Sequence, residues 1–109
     1  MQDNEDLIRC AEQLGALAAP ERLQIVHFLR DGPKNVTQIA KYVGIPAVNV
    51  AHHTGVLKLA GIIKSRKDGR FVYYSLIPEL VQQESSKATR EFLNFGYVRV
   101  EVVGDKKSS

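Results

Sequence analysis

The chain has 109 residues, room for one domain, and 44% hydrophobic with 25% charged residues is the balance of a soluble globular protein. The net charge is +3 and there is one cysteine, Cys10, which excludes an intramolecular disulfide framework. No apolar run approaches the roughly 20 residues of a membrane-spanning helix, and the acidic, polar residues 1–6 do not have the form of a secretion signal, so no membrane partner and a cytoplasmic, reducing setting are expected.

The charge is unevenly placed. Residues 1–33 carry three basic and six acidic side chains, and residues 71–109 carry five of each. Residues 34–70 carry seven basic side chains (Lys34, Lys41, Lys58, Lys64, Arg66, Lys67, Arg70) against Asp68 alone. A positive segment within a near-neutral chain fits a polyanion-binding surface. A solvated lysine-rich face is the plainer alternative.

In chain order, Leu7, Ile8, Ala11, Leu14, Leu17 and Ala18 recur at helical spacing and form one apolar stripe. Pro20 suits the first turn of a second helix, where its missing N–H costs nothing. Leu23, Ile25, Val26, Phe28 and Leu29 make that helix apolar on more than one face, so it belongs to the core. Asp31, Gly32 and Pro33 end it. Val36, Ile39, Ala40 and Val43 define a short third helix with Asn35 or Thr37 as its cap. After a break at Gly44, Ile45 and Pro46, a fourth helix runs from Ala47 to about Ala60 and stops at Gly61. Two short helices joined by a tight glycine-containing turn make a helix-turn-helix.

The period then changes. Residues 62–67 and 71–75 read as strands around Asp68 and Gly69, a hairpin signal. Leu80, Val81, Ala88, Phe92 and Leu93 predict one more helix after Pro78. Tyr97, Val98, Arg99, Val100, Glu101 and Val102 alternate as a short strand, and residues 104–109 form a frayed tail. The fold class is therefore mainly α with a small β-hairpin wing, a winged helix-turn-helix. It forms a single domain over 1–109 with a core from about 6 to 95.

The residues that carry this pattern resemble a known family, the ArsR/SmtB-type winged-helix repressors. Leu17, Ala18, Ala19, Pro20, Glu21, Arg22, Leu23, Gln24 and Ile25 look like that family's opening motif. Val36 to Ala40 with Val43, Gly44 and Ile45 resemble its first helix and turn. His52, His53, Val56, Leu57, Ala60, Gly61, Ile62 and Ile63 resemble its recognition helix, and residues 69–76 its wing. The resemblance covers about residues 14–80. It implies a homodimeric, sequence-specific DNA-binding transcriptional regulator, typically a repressor released by an effector, that pairs through its first and last helices. Such a protein would work on double-stranded DNA at a pseudo-palindromic operator, in the cytoplasm and associated with the nucleoid. The effector is unknown, and no cofactor is implied.

With Val50, Leu57 and Ala60 toward the core, Ala47, Val48, Ala51, His52 and Gly55 lie opposite and would enter a major groove, with Asn49 and His52 as the polar readers. Thr37, Gln38 and Lys58 flank that surface, and Arg66, Lys67 and Arg70 flank the hairpin turn, where a wing meets backbone or minor groove. This chain departs from the family in carrying small apolar residues where Gln, Ser and Thr are usual. Pro46 stands for the usual serine cap and Thr54 for a usual leucine.

Leu7, Ile8, Ala11, Leu14, Leu80, Val81, Phe92, Leu93 and Phe95 are too apolar for exposed terminal helices and would form the two-fold interface. Closure of the monomer core is the alternative. Adjacent His52 and His53 do not face each other on a helix, so they do not make a metal pair; His27 reads as a helix-surface or core-edge residue. The family's metal-sensing cysteine and histidine positions are not matched, and no metal site is expected. Cys10 reads as a small buried hydrophobe, with an intersubunit bridge as the alternative. No phosphate loop, zinc-protease motif or nucleophilic triad is present, so an enzyme is not expected. The alternative function is a winged-helix protein-interaction module without DNA binding.

Overall fold

A computed structural model describes residues 4–83 and 90–103. Helix α1 (Asn4–Leu17) buries Cys10, Gln13, Ala16 and Leu17 and leaves Leu7, Ile8, Ala11 and Leu14 exposed. The apolar stripe of the sequence is thus two faces, only one of which the chain itself covers. Helix α2 (Pro20–Leu29) begins with proline in its first turn and buries Ile25, Val26 and Leu29. A two-residue strand β1 (Lys34–Asn35) follows and runs directly into α3 (Val36–Val43).

Asn35 caps α3. Its Oδ1 accepts from the Gln38 N–H at 2.9 Å, while Gln38 Oε1 accepts from the Asn35 N–H at 2.8 Å. This reciprocal capping box satisfies two donors that an open helix end would leave unpaired. Gly44, at φ 81°, gives the left-handed stop that a side chain would resist. Helix α4 (Ala47–Leu59) starts at Pro46, which offers no side-chain cap, and buries Val50, Thr54 and Leu57. Thr54 is a polar residue in the core, and its hydroxyl is satisfied within the helix. Oγ1 donates toward the Val50 carbonyl at 2.8 Å and lies 3.2 Å from that of Ala51.

Strands β2 (Ile63–Asp68) and β3 (Phe71–Leu76) pair antiparallel from Ile63 opposite Leu76 to Asp68 opposite Phe71. β1 adds to the other edge of β3, giving the order β1-β3-β2. The hairpin turn centres on Gly69 and Arg70. Gly69 has φ 63°, and no residue other than glycine has positive φ among those described. Positive φ at the first central position alone is the type II′ pattern, which matches the right-handed twist of the strands.

The C-terminal segment departs from the sequence-based expectation. Among the described residues, where a last helix is expected, a single 3₁₀ turn (Pro78–Leu80) leads into β4 (Val81–Gln83). That strand pairs with β5 (Glu91–Asn94), which pairs in turn with β6 (Arg99–Val102). Ala88, which contributed to the expected helix, lies outside the described residues, as do the expected tail 104–109 and residues 1–3 of the acidic start. The physical reason for the difference is cross-strand pairing. Val81, Leu93 and Val100 stand opposite one another on one face of this second antiparallel sheet and pack on the core together with Leu80 and Val102. Residues that a helix would spread around a stripe are held in line by the ladder.

Phe92 points to the other face and is still only 7% exposed. The guanidinium groups of Arg99 and Arg90 lie 4.4 Å and 5.5 Å from its ring centroid and roof it. Arg30, at the end of α2, donates to Glu91 at 2.8 Å and ties this sheet to the helices. Buried side chains from α1, α2, α3, α4, β2 and β5 form one cluster. Ile25, Ile39, Val50, Leu57, Ile62, Ile63 and Leu93 are at its centre. Each such side chain stabilises the fold by about 1.5–3 kcal/mol relative to exposure.

Candidate nucleic-acid interface

Burial of Val50, Thr54 and Leu57 fixes which face of α4 is free. Ala47, Val48, Asn49, Ala51, His52, Gly55, Lys58 and Leu59 are all exposed, Val48 by 75% and Leu59 by 92%. Ala47, Ala51 and Gly55 put small side chains among these exposed positions of α4.

The two adjacent histidines part company. His52 is exposed. His53 is half-buried and turns toward α2, where its Nδ1 lies 3.1 Å from Nη1 of Arg22. Burial first, then the Arg22 charge, hold the His53 imidazole below its ordinary pKa; Glu21 acts the other way and His52 adds to the lowering. The His52 and His53 rings meet edge to face at 5.1 Å. Among the described residues no group of three or more His, Cys, Asp or Glu side chains is gathered as a metal site would need.

The hairpin stands beside α4 and is joined to it by a hydrogen bond from Lys58 Nζ to Ser65 Oγ at 2.8 Å. Strand alternation then sorts the wing's cations. Lys67 shares the face of Ile63 and Ser65, the side toward α4. Lys64 and Arg66 point to the opposite face, and Arg66 stands across from Tyr73. Arg70 occupies the turn, its guanidinium 5.7 Å from the Phe71 ring. Arg66 and Lys67, equivalent in the sequence reading, thus face opposite sides of the ribbon.

Thr37 and Gln38 are exposed in the first turn of α3. The Gln38 amide oxygen already accepts from the Asn35 N–H, leaving its NH₂ free to donate outward. Lys34 is drawn away from such a role, with Nζ 4.7 Å from the centroid of the Phe28 ring. That ring in turn stacks on Tyr42 at 4.0 Å.

The structure adds Phe71 and Tyr73, which were not among the expected contacts, and gives a side to Lys64, expected only as part of the positive segment. Lys64, Phe71 and Tyr73 lie on the outer wing face with Arg66, and the Phe71 and Tyr73 rings are 6.4 Å apart. The signal was available: residues two apart in a strand share a face.

Of the interface residues read from sequence, Leu7, Ile8, Ala11 and Leu14 form an exposed apolar row on α1. Leu80, Val81, Leu93 and Phe95 pack into or against the chain's own core, and Phe92 is covered by arginines. The β5–β6 turn brings Tyr97 alongside α1. The Tyr97 phenol is held above its ordinary pKa by partial burial, then by Asp6 and Cys10 facing it.

Comparison with known proteins places these features. Residues 19–65, from the start of α2 into β2, match the model of the bacterial regulatory proteins of the arsR family. The HTH-type transcriptional regulator NmtR of Mycobacterium tuberculosis is 37% identical over 81 residues, 74% of this chain and 68% of that one. The transcriptional repressor SdpR of Bacillus subtilis is 33% identical, over 74% of this chain and 89% of its own. Among solved structures, a homodimeric winged helix-turn-helix DNA-binding domain from Mycobacterium bovis superposes with a TM-score of 0.65 at 29% identity. That match covers 72% of this chain and 76% of the other. The second sheet lies wholly beyond the residues matched by the family model.

Proposed function

Because the chain belongs to the arsR family of bacterial regulatory proteins, we propose that it acts as a homodimeric repressor that reads a pseudo-palindromic operator with α4 and grips the flanking backbone with its wing. It is a DNA-binding transcriptional regulator and not an enzyme. Its relatives supply the repressor and homodimer parts of this reading, since one is named a transcriptional repressor and one solved neighbour is a homodimer.

The observation that carries the proposal is the pairing of α4's open face with a cationic hairpin fixed beside it by the Lys58–Ser65 bond. An α-helix fits the major groove of duplex DNA, and Ala47, Val48, Ala51 and Gly55 would let the backbone approach closely. Asn49 and His52 then read base edges, and Val48 is placed to touch a thymine methyl. Lys58, Arg66, Lys67 and Arg70 contact phosphates, with Thr37 and Gln38 donating from the start of α3. Two copies meet through Leu7, Ile8, Ala11 and Leu14 of α1, which sets half-sites about one helical turn apart. The protein would act in the cytoplasm, on the chromosome, under an effector of unspecified chemistry. No described helix is long and apolar enough to cross a membrane.

Fluorescence anisotropy on a labelled duplex at two salt concentrations tests the reading. Affinity that falls steeply with salt is expected, because each neutralised phosphate releases counterions. A second reading, a protein-interaction module, draws on the exposed Val48 and Leu59. Absence of duplex binding at low salt would favour it.

A further inference from the structure

The guanidinium of Arg22 sits where three helices meet. Its Nε–H donates to the Ala16 carbonyl, in the last turn of α1, at 2.6 Å, and its Nη1 lies 3.1 Å from Nδ1 of His53 on α4. A guanidinium keeps its protons at any ordinary pH and can only donate. Nδ1 of His53 must therefore accept. Only the neutral imidazole with its proton on Nε2 does so. One side chain of α2 thus bonds both the helix with the exposed apolar row and the helix with the exposed reading face.

We propose that Arg22 and His53 are positioning residues, a strut that fixes α4 against α1 and α2 only while His53 is neutral, so that sequence-specific DNA binding weakens as pH falls. This rests on the DNA-binding reading above. The charged and titratable groups around the imidazole are Arg22 and Glu21 from α2 and His52 from α4; α1 presents the uncharged Ala16 carbonyl. On protonation, Nδ1 becomes a donor facing a donor, and two cations are pressed together. The folded protein holds His53 neutral more firmly than the unfolded chain does. The sign follows: the contribution is fully present above about pH 6.5, the unfolded value, and is lost as pH falls through the lower value that His53 has in the folded protein.

The test uses a labelled duplex selected from a random library by the wild-type protein, and a scrambled duplex of the same composition. The ratio of the two affinities is compared at about pH 7.5 and about one unit below the His53 pKa that NMR titration reads in the folded protein. General electrostatic gains at low pH act on both duplexes and cancel in the ratio. The wild type should lose at least about fivefold in this ratio, as expected for one charge-assisted hydrogen bond turned repulsive. His53→Gln keeps an acceptor that does not titrate, and should lose clearly less of the ratio than the wild type, the base-reading His52 being common to both proteins. His53→Leu should be low at both pH values.

A fall in His53→Gln as steep as in the wild type overturns the proposal, as does a His53→Leu ratio equal to the wild-type value near neutrality. A second arm needs no DNA: NMR titration of the imidazole in the free protein. Arg22→Gln should raise the His53 pKa toward about 6.5; an unchanged value overturns the strut. If no duplex is selected at all, the DNA-binding reading fails, and the NMR arm still decides the strut.

Discussion

Among its described residues the protein holds two antiparallel three-stranded sheets that treat charge in opposite ways. In the first, β1-β3-β2, one face packs on the helices and the rest projects outward with Lys64, Arg66, Lys67 and Arg70 exposed. None of these four is paired with a carboxylate among the described residues. In the second, β4-β5-β6, the charge is compensated. Arg90 pairs with Glu101 at 3.2 Å, Glu91 with Arg30, and Arg90 and Arg99 both lie over Phe92. The first sheet leaves cations available to an outside polyanion. The second uses its cations to close the fold. Cations therefore stand open in one sheet and serve as a structural cover in the other, and the pairing of the charges tells them apart.

Four variants would break or sharpen this contrast. The largest effect is expected from Leu93→Ala, which empties a fully buried position of the second sheet and should cost about 2–5 kcal/mol in urea unfolding. Leu57→Ala on α4 is its control. A Leu93 variant as stable as the wild type would mean that the second sheet does not help close the core. Next comes the double substitution of Leu7 and Ile8 by Glu. Both are exposed, Ile8 by 58%, so monomer stability should move by less than about 0.5 kcal/mol each. Dimer dissociation in sedimentation equilibrium should shift by tenfold or more, on the order of 1.4 kcal/mol. Unaltered dimerisation would remove α1 from the two-fold contact.

A change of similar size but more selective is expected of His52→Ala. It should erode discrimination between selected and scrambled duplexes by about 1–3 kcal/mol and leave scrambled-duplex affinity nearly intact. Equal losses on both would make His52 a phosphate contact. The smallest effect belongs to Arg90→Ala. Its exposed pair with Glu101 is worth at most about 1 kcal/mol, and thermal unfolding should register little beyond the lost cover on Phe92. A large loss of DNA affinity in this variant would undo the division of labour between the sheets.

How far the sequence foretold this molecule depended on how local each signal was. The Asn35 cap, the Gly44 stop, the Pro20 start and the turn at Gly69 act within a few residues, and they mark α2, α3, α4 and the wing close to where these occur. The β6 alternation was likewise legible. The failure lay at Leu80, Val81, Phe92 and Leu93, whose spacing imitates a helix. Their strands are set by partners far along the chain, Leu93 standing between Val81 and Val100. No local pattern announces such a ladder, and an arginine roof over Phe92 let two successive residues be buried in one strand. The candidate site was legible as a list of residues. Its sidedness was legible in part: strand alternation separates Lys67 from Arg66 and helical spacing sets His53 on the side of Val50 and Leu57, but the Arg22 partner of His53 comes only from how α2 packs on α4.

The wing and α4 must meet a duplex together, and the salt dependence of binding by the double variant Lys67→Ala/Arg70→Ala measures this most directly. Against the wild type, its plot of log affinity versus log salt should be shallower by about two units, with weaker binding to selected and scrambled duplexes alike. A slope equal to that of the wild type would mean that the hairpin never touches the phosphates.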